Sequence, residues 1–134
     1  MIPRKLRLLP DHLYSSGEWS IAETAFTDDW MGNAETIFAL SNGYLGMRGI
    51  FEEGRPAVEP ATFINGFHET WPIVHAEEAY GFARTGQTIA NVPDTTLIKL
   101  YVDDEPLFLP VARMVEYTRQ LDFREGVLRR KMHW

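Results

Sequence analysis

Apolar residues recur along this chain mainly with a period of two, and turn-forming residues interrupt them about every ten positions, the pattern of a β-sandwich or barrel. Helical spacing is scarce. The clearest predicted strand covers residues 96–102, with Thr96, Ile98, Leu100 and Val102 on one face and Leu97, Lys99 and Tyr101 on the other. The first face is the one expected to be buried. Asp103-Asp104-Glu105-Pro106 reads as a reversal and Leu107-Phe108-Leu109 as the returning strand. A further strand is expected over residues 114–121, with Val115, Tyr117 and Leu121 sharing a face. It ends in the turn Asp122-Phe123-Arg124-Glu125-Gly126, and another strand runs from Val127 towards Trp134.

Asn42-Gly43, set between the apolar runs Phe38-Ala39-Leu40 and Tyr44-Leu45, is a strong hairpin signal because both residue types tolerate positive φ. Gly46 and Gly49 have no side chain to pack, so each is expected at a bulge, a bend or a close approach of another backbone. A helical turn is expected over residues 34–38, capped by Asn33, and another near residues 77–80.

Composition narrows this picture. At 134 residues the chain can bury one hydrophobic core, so residues 1–134 are read as a single domain. A formal net charge of −6, with the few basic clusters confined to the two ends, argues against a nucleic-acid partner. The chain has no cysteine, hence no disulfide, thiolate nucleophile or sulfur ligand for zinc. Arg7 and Pro10 break the only N-terminal apolar stretch, and no run approaches the roughly 20 residues of a membrane span. The expected location is the cytoplasm, away from membranes. The chain closes on Trp134 in mid-strand with no polar tail, which reads as a truncation of something longer.

Several residues suggest chemistry. Glu52 and Glu53 are adjacent carboxylates, but neighbours on a strand face opposite ways and could not flank one glycosidic bond; solvated side chains, or pairing with an arginine such as Arg48, are the plainer reading. His68 and His75 lack a third ligand at metal-binding spacing, so no metal is expected and surface or hydrogen-bonding histidines are. Arg48, between two glycines, is expected to pair with a carboxylate across strands, with contact to a sugar or phosphate as the alternative. Asp122 and Arg124 are expected to pin a turn through side-chain to backbone bonds. Gly43, Gly46 and Gly49 have the wrong spacing for a phosphate loop. Phe67, Trp71 and Tyr80 could stack on a sugar or fill a domain contact, but core packing is the expected fate of each.

Read together and in order, several blocks resemble the N-terminal domain of glycoside hydrolase family 65. They are Glu18-Trp19; residues 35–49, Glu-Thr-Ile-Phe-Ala-Leu-Ser-Asn-Gly-Tyr-Leu-Gly-Met-Arg-Gly; Phe51-Glu52-Glu53; and Thr62-Phe63-Ile64-Asn65-Gly66-Phe67-His68-Glu69. Asn91-Val92-Pro93, Leu121-Asp122-Phe123-Arg124-Glu125-Gly126-Val127-Leu128-Arg129 and Trp134 continue the match, although Asp94-Thr95-Thr96 stands where the family often has an aromatic. The resemblance implies an antiparallel β-sandwich that precedes an (α/α)6 catalytic barrel in a longer enzyme. It also implies cleavage of α-linked glucose disaccharides by inverting phosphorolysis or hydrolysis, with the acid glutamate beyond Trp134 and no catalytic residue in this chain. Inorganic phosphate would be a co-substrate, and no cofactor is implied. The implied partners are the chain's own barrel, a disaccharide and a second subunit in a homodimer. Asn65, Gly66, Phe67, His68 and Trp71 are then the residues expected near the barrel or substrate; Asn42, Gly43, Gly46, Arg48, Gly49, Asp122 and Arg124 are expected to be structural. A free-standing carbohydrate-binding module is the alternative.

Overall fold

The computed structural model describes residues 9–94 and 96–134. In chain order it contains β1 (Tyr14–Ser16), β2 (Ser20–Glu23), a 3₁₀ turn (Asp28–Trp30), α1 (Met31–Ile37), β3 (Leu40–Ser41), β4 (Leu45–Met47), β5 (Thr62–Pro72) and β6 (Thr85–Asn91). β7 (Tyr101–Val102), β8 (Glu105–Pro106), β9 (Glu116–Asp122) and β10 (Val127–His133) complete it. The strands form two four-stranded sheets, ordered β1-β2-β9-β10 and β3-β4-β5-β6, and a two-stranded ribbon of β7 and β8. Every strand pair is antiparallel. The expected class, mainly antiparallel β with little helix, is the one found.

The first sheet carries the core because β9 alternates strictly: Tyr117, Arg119 and Leu121 are buried and the residues between them are not. In register, Leu121 faces Leu128 and Tyr117 faces Met132 on β10, which extends the same inner face. Tyr14, Ala34, Phe38 and Leu121 form one buried cluster, with Ile21, Leu40 and Leu128 packed against it. Phe51, Leu109 and Tyr117 form a second, joined by Phe26, Met31, Met114 and Met132. Phe26 meets Phe51 and Tyr117 edge-on at ring distances of 5.6 and 6.5 Å. The core thus lies between the inner face of this sheet on one side and α1 with the segment following β4 on the other.

Turns fall where the residues demand them. Asn42 Oδ1 accepts the N–H groups of Tyr44 and Leu45, and Gly43 takes a φ of 84°, closing the expected hairpin between β3 and β4. Asp103 and Asp104 both take positive φ between β7 and β8, as a two-residue hairpin turn requires. At the β9–β10 turn Asp122 Oδ1 accepts the N–H groups of Arg124 and Glu125. Arg124 contributes only its backbone there; its guanidinium lies 4.8 Å over the Trp19 ring.

Other expectations need correction. The helix begins at Met31, so Asn33 is interior, and the capping position is Trp30 with no side-chain cap bond. The preceding 3₁₀ turn brings Asp28 and Asp29 to this end of the helix, where acidic charge complements the positive end of the dipole, and the start shifts towards them. Residues 77–80 form no helix. Of residues 96–102 only Tyr101 and Val102 pair as strand, and Ile98, Leu100 and Val102 are exposed at 67, 43 and 52%. Val115 is also exposed, because it lies before the paired part of β9, beyond the end of the core cluster. β6 has no apolar alternation, and pairing with β5 rather than core burial builds it.

Candidate functional site

The most heavily connected polar group among the described residues is a buried pair that the periodicity skipped. Arg119 sits between Tyr117 and Leu121 on the inward face of β9, and Glu23 lies opposite it in register on β2. Both are about 2% exposed. Arg119 Nε and one terminal nitrogen meet Glu23 Oε2 at 3.1 and 3.0 Å, and the other terminal nitrogen donates to Gly49 O at 2.8 Å. The hydroxyls of Tyr14 and Tyr117 donate to Glu23 at 3.1 and 2.8 Å. Phe38 and Phe51 cover the guanidinium at 4.4 and 4.5 Å. Burial, first of all, pushes both tyrosine hydroxyls well above their ordinary range, and the Glu23 carboxylate adds to this. They therefore remain donors, and Glu23, Arg119 and both hydroxyls are already engaged with one another. The arrangement is a fastening.

The glycine-marked segment after β4 is fastened to it. A Cβ at Gly49 would stand 2.6 Å from Phe38 Cβ, so only glycine permits this backbone approach. Gly49 N–H donates to Glu35 O at 2.7 Å. Gly46, by contrast, lies in β4 opposite Ser41 and Phe63, and a Cβ there would meet Ser41 Cβ at 3.4 Å. Arg48 does find a carboxylate, but on α1 rather than across strands: its guanidinium lies 3.5 Å from Glu35, which is buried and also accepts the N–H groups of Val58 and Glu59. Glu52 and Glu53 are held by Arg130 on β10, not by Arg48. Arg130 grips Glu53 with two bonds of 2.6 and 2.8 Å and reaches Glu52 at 3.0 Å. Two carboxylates on one guanidinium do not face each other across a sugar-sized gap.

The residues expected near a barrel or substrate lie on the β5–β6 hairpin, and they do not all converge. Asn65 joins the Asn42-Gly43 turn, its N–H donating to Tyr44 O at 2.8 Å and its carboxamide to Gly43 O at 3.1 Å. Gly66 takes a φ of 84° beside a register shift between Phe63 and His68. Beyond it, alternation sends Trp71 to one face and His68 to the other. Phe67 and Trp71 are half exposed, and the Trp71 indole covers Gly86, its partner in register. At the hairpin's end His75 Nε2 pairs with Ala83 O at 2.8 Å and its ring packs on Phe82. Val74 and Tyr80 are almost fully exposed, so none of Phe67, Trp71 and Tyr80 takes the expected place in the core; the hairpin that carries them extends away from both buried clusters. Among the described residues no three His, Asp or Glu side chains gather as a metal site would need. No helix among them is long and apolar enough to cross a membrane.

This geometry defines an antiparallel β-domain whose buried charges are internally paired and whose apolar side chains are abundant at the surface. A solved structure of a candidate kojibiose phosphorylase from the human microbiome has the same fold: TM-score 0.77 at 27% identity, covering 94% of this chain and 17% of that one. The α,α-trehalose phosphorylase of Thermoanaerobacter brockii is 45% identical over 126 residues, 91% of this chain and 16% of that protein. The kojibiose phosphorylase of Caldanaerobacter subterraneus subsp. tengcongensis is 32% identical over 121 residues, 90% of this chain and 14% of that protein. The family model described as glycosyl hydrolase family 65, N-terminal domain, matches residues 21–134. The chain belongs to glycosyl hydrolase family 65 and represents its N-terminal domain. It spans only about a sixth of the length of these relatives.

Proposed function

We propose that this chain is the non-catalytic N-terminal portion of an enzyme that cleaves an α-linked glucose disaccharide, with inorganic phosphate as the attacking co-substrate. The observation that carries the reading is the 45% identity to a trehalose phosphorylase, combined with buried carboxylates that are already committed to arginines or backbone N–H groups. In this reaction an acid protonates the leaving glycosidic oxygen while phosphate attacks the anomeric carbon, so a phosphorylase needs one catalytic carboxylate. That acid belongs to a catalytic domain outside these residues, in a protein of the cytoplasm. The domain's role is to shape the entrance of the active site and the contact between subunits of a homodimer. The β5–β6 hairpin, with Phe67, His68 and Trp71 beyond the Asn65-Gly66 kink, is the element that reaches the catalytic domain.

The test is turnover. The 134-residue chain is expected to release no sugar phosphate from trehalose or kojibiose, and the polypeptide read through past Trp134 is expected to do so. Turnover by the short chain overturns the reading. The exposed aromatics Phe67, Trp71, Tyr80 and Phe82 favour one second reading, a free-standing carbohydrate-binding module. Micromolar binding of a glucose disaccharide by the short chain in calorimetry would establish it instead.

A further inference from the structure

The far end of the β5–β6 hairpin is ordered by its own contacts although nearly all of it stands in solvent. Past the last strand pair, Pro72 with Thr85, the Ile73 N–H donates to Arg84 O at 2.9 Å and carries the ladder one step into the loop. His75 Nε2 meets Ala83 O at 2.8 Å, and its ring lies 4.9 Å from that of Phe82. The Phe82 N–H donates to Ala79 O at 3.2 Å, and Gly81 supplies the positive φ of 86° at this reversal. No residue of the loop belongs to either buried cluster, so the core does not impose this order.

The loop encloses a notch of about 250 Å³. Its apolar wall is Ile73, Val74, Ala79 and a half-exposed Phe82 whose ring is braced by His75. Its polar rim is Glu78 and Arg84, whose charges lie 4.0 Å apart and whose side chains are 88 and 85% exposed. So open a pair contributes little to folding, and both groups keep most of their hydrogen-bonding capacity for a ligand. Size and charge then select that ligand. A volume just under the roughly 300–1,000 Å³ of sites for drug-sized molecules suits one six-membered ring and not two. An anion would meet Glu78, with Glu77 next to it in the chain, and a cation would meet Arg84. A neutral ring bearing hydroxyls can donate to the carboxylate and accept from the guanidinium at once, while its C–H face lies on Phe82.

We infer that this notch takes one glucosyl ring of the disaccharide, with Phe82 under the ring and Glu78 and Arg84 at its hydroxyls. The inference rests on the reading of this chain as part of a disaccharide-cleaving enzyme and adds a sugar contact at the hairpin's end; Phe67, His68 and Trp71 remain the residues that meet the catalytic domain. The ring is held away from the bond that breaks, so the site contributes affinity without touching the reacting atoms. One ring with two charged partners binds in the roughly millimolar range, well short of the micromolar affinity that marks a free-standing module.

In the longer polypeptide, with phosphate left out so that no phosphorolysis occurs, amide exchange over residues 73–84 is measured with and without saturating trehalose, and again with kojibiose. Slower exchange with either sugar, lost in Phe82→Ala and in Arg84→Met, is the expected result. Exchange that neither sugar alters, or slowing that survives both substitutions, overturns the inference. Both substitutions are at the surface, and a Tm within about 2 °C of the parent shows that the fold is kept; Glu78→Gln, which preserves shape and removes only the charge, carries the same expectation. With phosphate added, each variant should raise KM for the sugar turned over about tenfold with kcat within about twofold, as loss of a contact equal in ground and transition states requires. An unchanged KM in all three variants, or a fall in kcat alone, overturns the inference. The two readings fail separately: protection by sugar in a polypeptide that releases no sugar phosphate sinks only the enzyme assignment, and phosphorolysis without protection sinks only the notch.

Discussion

Replacing Arg119 by Met removes a charge from the centre of the molecule while keeping most of the side chain's length. Glu23 would then stay buried, about 2% exposed, with the hydroxyls of Tyr14 and Tyr117 still donating but no cation beside it. Gly49 O would also lose the donor 2.8 Å away, and Phe38 and Phe51 would lose the guanidinium between them. Breaking a buried pair from one side costs about 3–5 kcal/mol, because an uncompensated charge remains. With an unfolding entropy of about 2.1 cal/mol/K per residue, a chain of 134 residues loses about 10–18 °C in Tm. Typical domains have only about 5–15 kcal/mol in total, so the variant should be folded but fragile.

Urea unfolding followed by tryptophan fluorescence measures the loss, and an unchanged slope would show that the folded states are comparable. The pair Glu23→Gln with Arg119→Met supplies the control. Removing both charges together should cost clearly less than the two single losses added, by at least about 1 kcal/mol. A loss below about 1 kcal/mol for Arg119→Met, or strict additivity in the double variant, would refute the claim that this pair fastens the two halves of the core.

Gly49→Ala should destabilise by about 3 kcal/mol, since its Cβ would stand 2.6 Å from Phe38 Cβ, and a urea midpoint equal to that of the parent would contradict the close approach. Asp122→Ala should cost about 1 kcal/mol by releasing the N–H groups of Arg124 and Glu125, measurable as a lower Tm with unchanged circular dichroism. Tyr14 and Tyr117 have folded pKa values raised above the unfolded value, so their contribution is fully present below about pH 10 and is lost as pH rises beyond it. Tm should therefore fall above about pH 10, with two of the five tyrosines ionising only on unfolding in a titration followed at 295 nm; all five ionising together while the protein is still folded would count against the hub.

Local rules made much of this fold legible. Asn42-Gly43, Asp103-Asp104 and Asp122 to Gly126 each specify a turn through a positive φ or a short acceptor side chain, and all three turns are present. Strands with a buried face, β9 above all, could be read by alternation. β6 could not, because its stability comes from pairing with β5 and nothing in its own pattern marks that partner. The buried hub was hidden for a related reason. An arginine at an inward position reads as an interruption of the apolar period until Glu23, 96 residues earlier, is seen beside it. Arg48 and Arg130 were each expected to find carboxylates of the wrong element or not expected at all, since sequence neighbours such as Glu52 compete poorly with residues the fold delivers from afar. The Ile98, Leu100 and Val102 face is the opposite case. There the alternation predicts burial and the structure leaves the face open, because within residues 96–102 only Tyr101 and Val102 pair, in a two-stranded ribbon that has no core face of its own. Phe67 and Trp71 are a separate case, because β5 and β6 show no such alternation and their exposed aromatics are the ones proposed to meet the catalytic domain.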